Sequence, residues 1–224
     1  MYHKKMKKQL ITTSDGSTSL YIPQLNETYH SVHGALQETL HVFIKNGLQL
    51  FHNQSIAILE IGFGTGLNAL VTYQEHPKLQ LSLFYQTVEA YPLSWEEASQ
   101  MNFTEVLSPN LHPIFEQMHR CQWETPIELS PSFTFKKRQQ FFQEINDIDT
   151  FNLIYFDAFS AQIQPELWEI TIFQKMYNAL KTGGYLVTYA AKGSVRRALQ
   201  NAGFIIERLP GPPMKREMLR ALKP

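Results

Sequence analysis

Glu60-Ile61-Gly62-Phe63-Gly64-Thr65-Gly66 is the part of this sequence best suited to chemistry. It lies between an apolar, β-branched run at 56–61 and a helical pattern at 65–73. Glycines at such a bend let the chain turn tightly and let a ligand approach the backbone with no Cβ in the way. The spacing here is G-x-G-x-G. The dinucleotide fingerprint is G-x-G-x-x-G, in which a helix N-terminus receives a pyrophosphate. Glu60, directly before the glycines, would repel a pyrophosphate and could hold a cationic amino group instead. A second carboxylate, Glu89, closes the next apolar run, 27 residues after Gly62. A carboxylate at that place accepts hydrogen bonds from ribose hydroxyls. Together Glu60, Gly62, Gly64, Gly66 and Glu89 predict a nucleoside cofactor that carries positive charge and no phosphate. S-adenosylmethionine, with its ammonium and sulfonium, meets that description.

The elements that position these residues can be read from periodicity and turn residues. Residues 1–20 are polar and predict a frayed start or a short hairpin. Leu36, Leu40, Phe43 and Ile44 recur at helical spacing, which predicts a helix near 34–50. Strands follow at 56–61, 81–88, 133–137, 151–156 and 185–190, with helices at 65–73, 92–101, 165–180 and 194–201 between them. Thr182-Gly183-Gly184 reads as a helix stop after 180, and residues 102–130 as helix and loop. Two last strands, 204–209 and 216–222, flank Pro210-Gly211-Pro212-Pro213, which forbids helix and invites a reversal. The alternation predicts an α/β fold, a doubly wound Rossmann-like sheet with its last strand antiparallel.

Composition narrows the class. A chain of 224 residues can bury a sizeable core without disulfides or metal. One cysteine, Cys121, cannot form an internal disulfide. No apolar run approaches the roughly 18 residues of a membrane span. The basic start at 1–8 is followed by polar residues rather than an apolar signal core, so a cytoplasmic protein is expected. Twenty basic and twenty acidic residues cancel, but unevenly. Lys4, Lys5, Lys7 and Lys8 make the start basic, and eight basic residues face two acids over 192–224. The middle is acidic. Two basic ends on an acidic body suit either a polyanionic partner or solvated surface.

Four stretches then carry a resemblance. They are Glu27-Thr28-Tyr29-His30-Ser31 with Gly34, Glu38 and Phe43; residues 60–68; Asp157-Ala158-Phe159-Ser160 with Pro165 and Trp168; and Val195-Arg196-Arg197-Ala198-Leu199 with Ala202-Gly203-Phe204 and Lys215-Arg216-Glu217-Met218-Leu219. On these the chain resembles the class I S-adenosylmethionine-dependent methyltransferases. More narrowly, it is similar to the methyltransferase part of the bacterial tRNA 5-methylaminomethyl-2-thiouridine biosynthesis (MnmC) family and its stand-alone relatives. The resemblance implies the seven-stranded sheet of that class, with residues 1–50 as an N-terminal extension packed on a methyltransferase domain at 51–224. It also implies methyl transfer to the exocyclic amine of 5-aminomethyl-(2-thio)uridine at the wobble position of tRNA. The bifunctional members add a flavin-dependent oxidase several hundred residues long, for which this length leaves no room, so FAD is not expected. Two positions depart from the pattern. Ala161 stands where the family usually has proline, and Lys137-Arg138-Gln139 where relatives place Gly-Asp, leaving Gln139 as a neutral partner for the adenine.

Methylating an amine requires alignment of donor and acceptor and loss of the amine's proton. Asp157, at the carboxyl end of the 151–156 strand, is the expected catalytic carboxylate. Glu60, the three loop glycines, Asn68, Glu89 and Gln139 are expected at the cofactor, and Tyr29, Phe159 and Trp168 at the substrate. Arg196, Arg197, Lys215 and Arg216 are expected to touch tRNA phosphates. No third metal ligand lies near these groups in sequence, so no metal is expected. Transfer to a small amine, as a methyl or aminopropyl group, fits the same loop and acids, and a non-catalytic RNA- or nucleotide-binding module fits the charge pattern.

Overall fold

Residues 6–224 are described by the computed structural model. Lys4 and Lys5, two of the four N-terminal lysines, lie outside them. Strands β1 (Gln9–Thr12), β2 (Thr18–Ile22) and β3 (Glu27–Thr28) form a small antiparallel sheet. It contains the expected hairpin, with Thr12 opposite Thr18, plus a third short strand. Helix α1 (Ala35–Thr39) runs directly into a π-helical segment, Leu40–Lys45.

The main sheet begins with β4 (Ser55–Ile61), followed by α2 (Leu67–Glu75) and β5 (Ser82–Val88). Short helices α3 (Trp95–Ala98) and α4 (Phe103–Leu107) and the longer α5 (His112–Arg120) lead to the paired strands β6 (Ile127–Ser130) and β7 (Phe133–Arg138). Then come β8 (Phe151–Phe156), α6 (Ile170–Ala179), β9 (Leu180–Thr188), α7 (Gly193–Asn201), β10 (Ile205–Pro210) and β11 (Glu217–Leu222). The strand order is β10-β11-β9-β8-β4-β5-β7-β6. β4 pairs in parallel with both β5 and β8, so the order reverses there, at the crevice where open α/β sheets take their ligands. Helices cover both faces. Phe43, Val71, Phe115 and Tyr155 belong to the buried cluster of one layer, and Ile154, Phe173, Leu199 and Ala221 to that of the other.

Four expectations need correction. The sheet has eight strands, because β6 adds an antiparallel edge to β7. The last strand, β11, is antiparallel as expected and sits between β9 and β10. The helix expected over 165–180 is split: a 3-10 turn (Pro165–Trp168) precedes α6, and Glu169 between them is extended. Thr182-Gly183-Gly184 is not its stop. Leu180 already pairs with Phe151, and the glycines form a bulge inside β9, tied to the C-terminus by Gly183 N–H donating to Lys223 O at 2.8 Å. The helix expected over 92–101 shrinks to α3, because Ser94 and Glu97 form a reciprocal capping box that starts it late.

Candidate active site

Backbone geometry at the switch point places the site. Gly62, Gly64 and Gly66 have φ of 93°, 50° and 79°, the left-handed region that glycine enters without steric cost. At Gly62 a Cβ would lie 2.8 Å from the Asp157 carbonyl oxygen, so the loop after β4 and the end of β8 touch only because that residue is glycine. Asp157 N–H donates to Ile61 O and Gly62 N–H to Val88 O, both at 3.0 Å. The ends of β8, β4 and β5 are thereby locked in line. Glu89, one residue past β5, accepts from Gly64 N–H at 3.1 Å and from Tyr91 N–H at 2.8 Å. Burial raises its pKa, and these backbone donors oppose the rise.

A cavity of about 690 Å3 opens over these strand ends. Of the residues expected at the site, Tyr29, Gly62, Gly64, Asn68, Glu89, Asp157, Phe159 and Lys215 line it. Tyr29 and Phe159 meet edge to face at 5.1 Å between ring centres, which makes an aromatic wall. His30 adds to the lining, as do Phe141 and Gln143 from the segment after β7. His30 bonds the Thr65 hydroxyl at 3.0 Å, and burial lowers its pKa to about 4, so it is neutral at physiological pH.

Other expected residues lie elsewhere. Glu60 is fully buried beneath the glycine loop. The Thr87 and Tyr85 hydroxyls and the Asn68 amide surround its carboxyl, yet no hydrogen bond of good geometry reaches either oxygen. Burial pushes its pKa well above the usual carboxylate range, so the site disfavours its charged form, and it lies under the loop rather than facing a ligand. Gly66 caps α2 with no cavity contact, because a Cβ there would meet the His119 ring at 2.8 Å. Gln139 is exposed, its N–H held by Glu124 at 2.8 Å, since Lys137 before it is buried with its ammonium on His119 O. Trp168 is core: it is 4% exposed, packs on Phe156 and Phe173, and donates its indole N–H to Phe159 O at 2.7 Å. It therefore supports the aromatic wall from behind. Arg196 and Arg197 are on α7 and Arg216 is exposed beyond β10, none of them in the cavity. Lys215 turns inward and pairs with Glu38.

Asp157 is held by Asn68, whose Nδ2 donates to Oδ2 at 2.8 Å, while Asn68 Oδ1 accepts from Thr39 Oγ1 at 2.8 Å. Burial, and next the nearby Glu38 carboxylate, push its pKa up to about 7, against the Asn68 hydrogen bond and the Lys215 ammonium. Sequence reading assigned no role to Glu38, Glu27 or Tyr189. Glu27 accepts from Ser160 Oγ at 2.9 Å, and Tyr189 donates its hydroxyl to Ala158 O at 2.9 Å. The lining carries five carboxylates (Glu27, Glu38, Glu89, Asp157 and Glu166), with Lys215 as its lysine and no arginine. Such a cavity repels phosphate and suits cations.

Comparison with known proteins agrees with this chemistry. Residues 101–224 match the model of a family described as S-adenosyl-L-methionine-dependent methyltransferase. The chain belongs to this family. The methyltransferase is 30% identical over 223 residues to the tRNA 5-methylaminomethyl-2-thiouridine biosynthesis bifunctional protein MnmC of Cupriavidus metallidurans, covering 93% of this chain and 33% of that protein. The protein of the same name from Leptospira borgpetersenii is 30% identical over 217 residues, 88% of this chain and 32% of its own length. The methyltransferase thus spans about a third of the length of the curated relatives it matches. Among solved structures, MNMC2 from Aquifex aeolicus superposes with a TM-score of 0.76 at 21% identity, covering 99% of this chain and 72% of that one. Spermidine synthase from Thermotoga maritima gives 0.56 at 14% identity, covering 98% and 74%. Both show the fold alone.

S-adenosylmethionine fits the residues present. Gly62 and Gly64 of the left-handed loop and the half-buried Glu89 carboxylate line the cavity, and the acidic lining complements an ammonium and a sulfonium. Glu89→Gln keeps the size and removes the charge. It is expected to weaken S-adenosylmethionine binding about ten- to hundred-fold, the cost of one or two charge-assisted hydrogen bonds. Calorimetric titration measures this, and unchanged affinity would contradict it.

Proposed function

We propose that this methyltransferase transfers the methyl group of S-adenosylmethionine to the exocyclic amine of 5-aminomethyl-(2-thio)uridine at the wobble position of tRNA. The observation that carries this reading is the acceptor end of the cavity. There Asp157, with a pKa near neutrality, lies among aromatic residues from three separate elements (Tyr29, Phe159 and Tyr189). The bifunctional relatives are named for the biosynthesis of 5-methylaminomethyl-2-thiouridine in tRNA, which supports the same substrate.

The cofactor supplies an electrophilic methyl group and a neutral leaving group. The chain's residues do the rest. The glycine loop, Asn68 and Glu89 hold the cofactor, while Asp157 binds the acceptor's ammonium. With Oδ2 engaged by Asn68, Oδ1 takes the proton and leaves the nitrogen lone pair directed at the methyl carbon. Tyr29 and Phe159 receive the flipped base by stacking, as proteins receive unpaired nucleobases generally. The chain divides into an N-terminal extension, 1–50, packed on a methyltransferase domain at 51–224, and Tyr29, His30 and Glu38 of the extension line the cavity. Exposed Arg197 and Arg216, with half-buried Arg196, contact phosphates.

Two measurements follow. With tRNA bearing the aminomethyl nucleoside, kcat/KM is expected to rise with pH through a limb near 7, as Asp157 ionises. A profile flat from pH 6 to about 8 would remove Asp157 from the proton transfer. In cells lacking the protein, tRNA hydrolysates are expected to accumulate the unmethylated 5-aminomethyl nucleoside. An unchanged nucleoside profile would contradict the proposed substrate.

A further inference from the structure

The acceptor end of the cavity contains a lysine that the proposed reaction does not use. Lys215 ends a tight turn between β10 and β11, in which its N–H donates to Pro212 O at 2.9 Å and Gly211 N–H to Arg216 O at 3.2 Å. Met214, directly before it, takes φ 65°, a left-handed conformation that a non-glycine residue adopts only under constraint. That twist aims the next side chain inward. The Lys215 ammonium donates to Glu38 Oε1 and lies 4.2 Å from the centre of the Tyr189 ring. Glu38 is itself fixed, its Oε2 accepting from Ser31 N–H at 3.2 Å. The next residue, Thr39, holds the Asn68 side chain that holds Asp157. Glu38 and Asp157 are thus two carboxylates on one short chain of contacts, and a lysine from a distant part of the sequence pairs with Glu38 near enough to act on the charge of Asp157.

We propose that Glu38 and Lys215 form an internal neutralising pair, in which Glu38 keeps the lysine ammonium off Asp157 and the lysine cancels the charge of Glu38, leaving Asp157 free for the acceptor's ammonium. The proposal rests on the amine-acceptor reading above. Without Lys215, two carboxylates would share one end of the cavity with no cation between their charges, which favours the protonated form of one of them. Without Glu38, the lysine would be the ammonium nearest to Asp157 and would compete with the substrate. Other titratable groups face the same place. Glu60 from β4, Tyr85 from β5 and Tyr189 after β9 interact with Asp157, but burial raises the pKa of all three and so disfavours their charged forms. Glu27 from β3 faces Tyr189. Glu38 and Lys215 are therefore the charges acting on Asp157.

Carboxyl 13C NMR on the full chain without cofactor or tRNA, with the Asp157 signal assigned from its loss in Asp157→Asn, tests the pair. Lys215→Met is expected to raise the Asp157 midpoint by about one pH unit, Glu38→Gln to lower it by about as much, and the double variant to return it near the parent value. Lys215→Arg, which keeps the pair, should leave the midpoint in place. In steady-state assays Glu38→Gln should raise KM for acceptor tRNA about ten-fold, and adding Lys215→Met should restore it. A merely structural role would not produce opposite shifts that cancel. Shifts of the same sign, no shifts, or a KM that Lys215→Met does not restore would each overturn the proposal. The titrations need no acceptor, so opposite shifts in a protein that methylates no amine would uphold the pair and reject the substrate instead.

Discussion

Asp157→Asn is expected to lower kcat for methyl transfer by roughly 10²–10⁴-fold, the range for loss of a positioned proton acceptor, while S-adenosylmethionine still binds. The amide keeps the shape of the carboxyl and loses both its charge and its capacity to take a proton. The same substitution carries a stability signature of opposite sign. The folded pKa of Asp157 lies near 7, above its ordinary 3.8. The folded state therefore binds this proton more tightly than the unfolded chain does. The stability linked to it is fully present below about pH 4 and is lost as pH rises through 7. Asparagine never ionises, so the variant should match the parent in Tm near pH 4 and exceed it above pH 8. A variant that is inactive and equally less stable at every pH would mean that Asp157 is a structural residue.

Gly62→Ala is expected to damage fold and catalysis together. Its φ of 93° is strained for alanine, and the new Cβ would lie 2.8 Å from the Asp157 carbonyl oxygen, a backbone atom that cannot rotate away. The end of β8 has to shift, and Asp157 shifts with it. Backbone strain of this kind costs about 1–3 kcal/mol before the clash is counted. With the clash, a fall in Tm of about 5–10 °C is expected for a chain of this size. Displacing the catalytic carboxyl by a fraction of an ångström to an ångström should lower kcat about a hundred-fold. Gly183→Ala is the matched control. Its φ of 79° is equally left-handed, but nothing lies within 4 Å of the added Cβ. It should lose stability from strain alone and keep methyl transfer. Equal activity in Gly62→Ala and Gly183→Ala would show that contact between the glycine loop and β8 does not position the site.

The parts of this site that were legible in the sequence are those whose chemistry is local. A buried parallel strand reads as an unbroken apolar run, so β4, β5 and β8 were placed within a residue or so, and with them the loop glycines, Glu89 and Asp157. The glycines of 182–184 were misread for an instructive reason: a helix stop and a strand bulge both need a left-handed residue, and only the partner strand tells them apart. Glu60 was misassigned because sequence shows which residue precedes a glycine loop but not which way its side chain points. Its placement on a central strand buries it under the loop it was expected to serve.

The Glu38–Lys215 pair could not be read at all. The two residues are separated by 177 positions, and what brings them together is a left-handed methionine in a proline-rich turn. The charge pattern misled in the same way. The excess of basic residues over 192–224 suggested a surface for phosphates, yet Arg208 pairs with Glu217, Arg220 with Glu207 and Lys223 with Asp149, while Lys215 faces the cavity. Lys8, one of the N-terminal lysines, is paired with Glu97. Net charge along a sequence counts ions, whereas a polyanion meets only those that the fold leaves exposed, here Arg197 and Arg216 among others.

The most direct test is to incubate the purified protein with methyl-labelled S-adenosylmethionine and tRNA bearing 5-aminomethyl-2-thiouridine, then digest the tRNA and locate the label. The account predicts label in one nucleoside, 5-methylaminomethyl-2-thiouridine, and none when Asp157→Asn replaces the parent. Folded protein that binds the cofactor but leaves that nucleoside unlabelled, or that labels a free polyamine without tRNA, would contradict it.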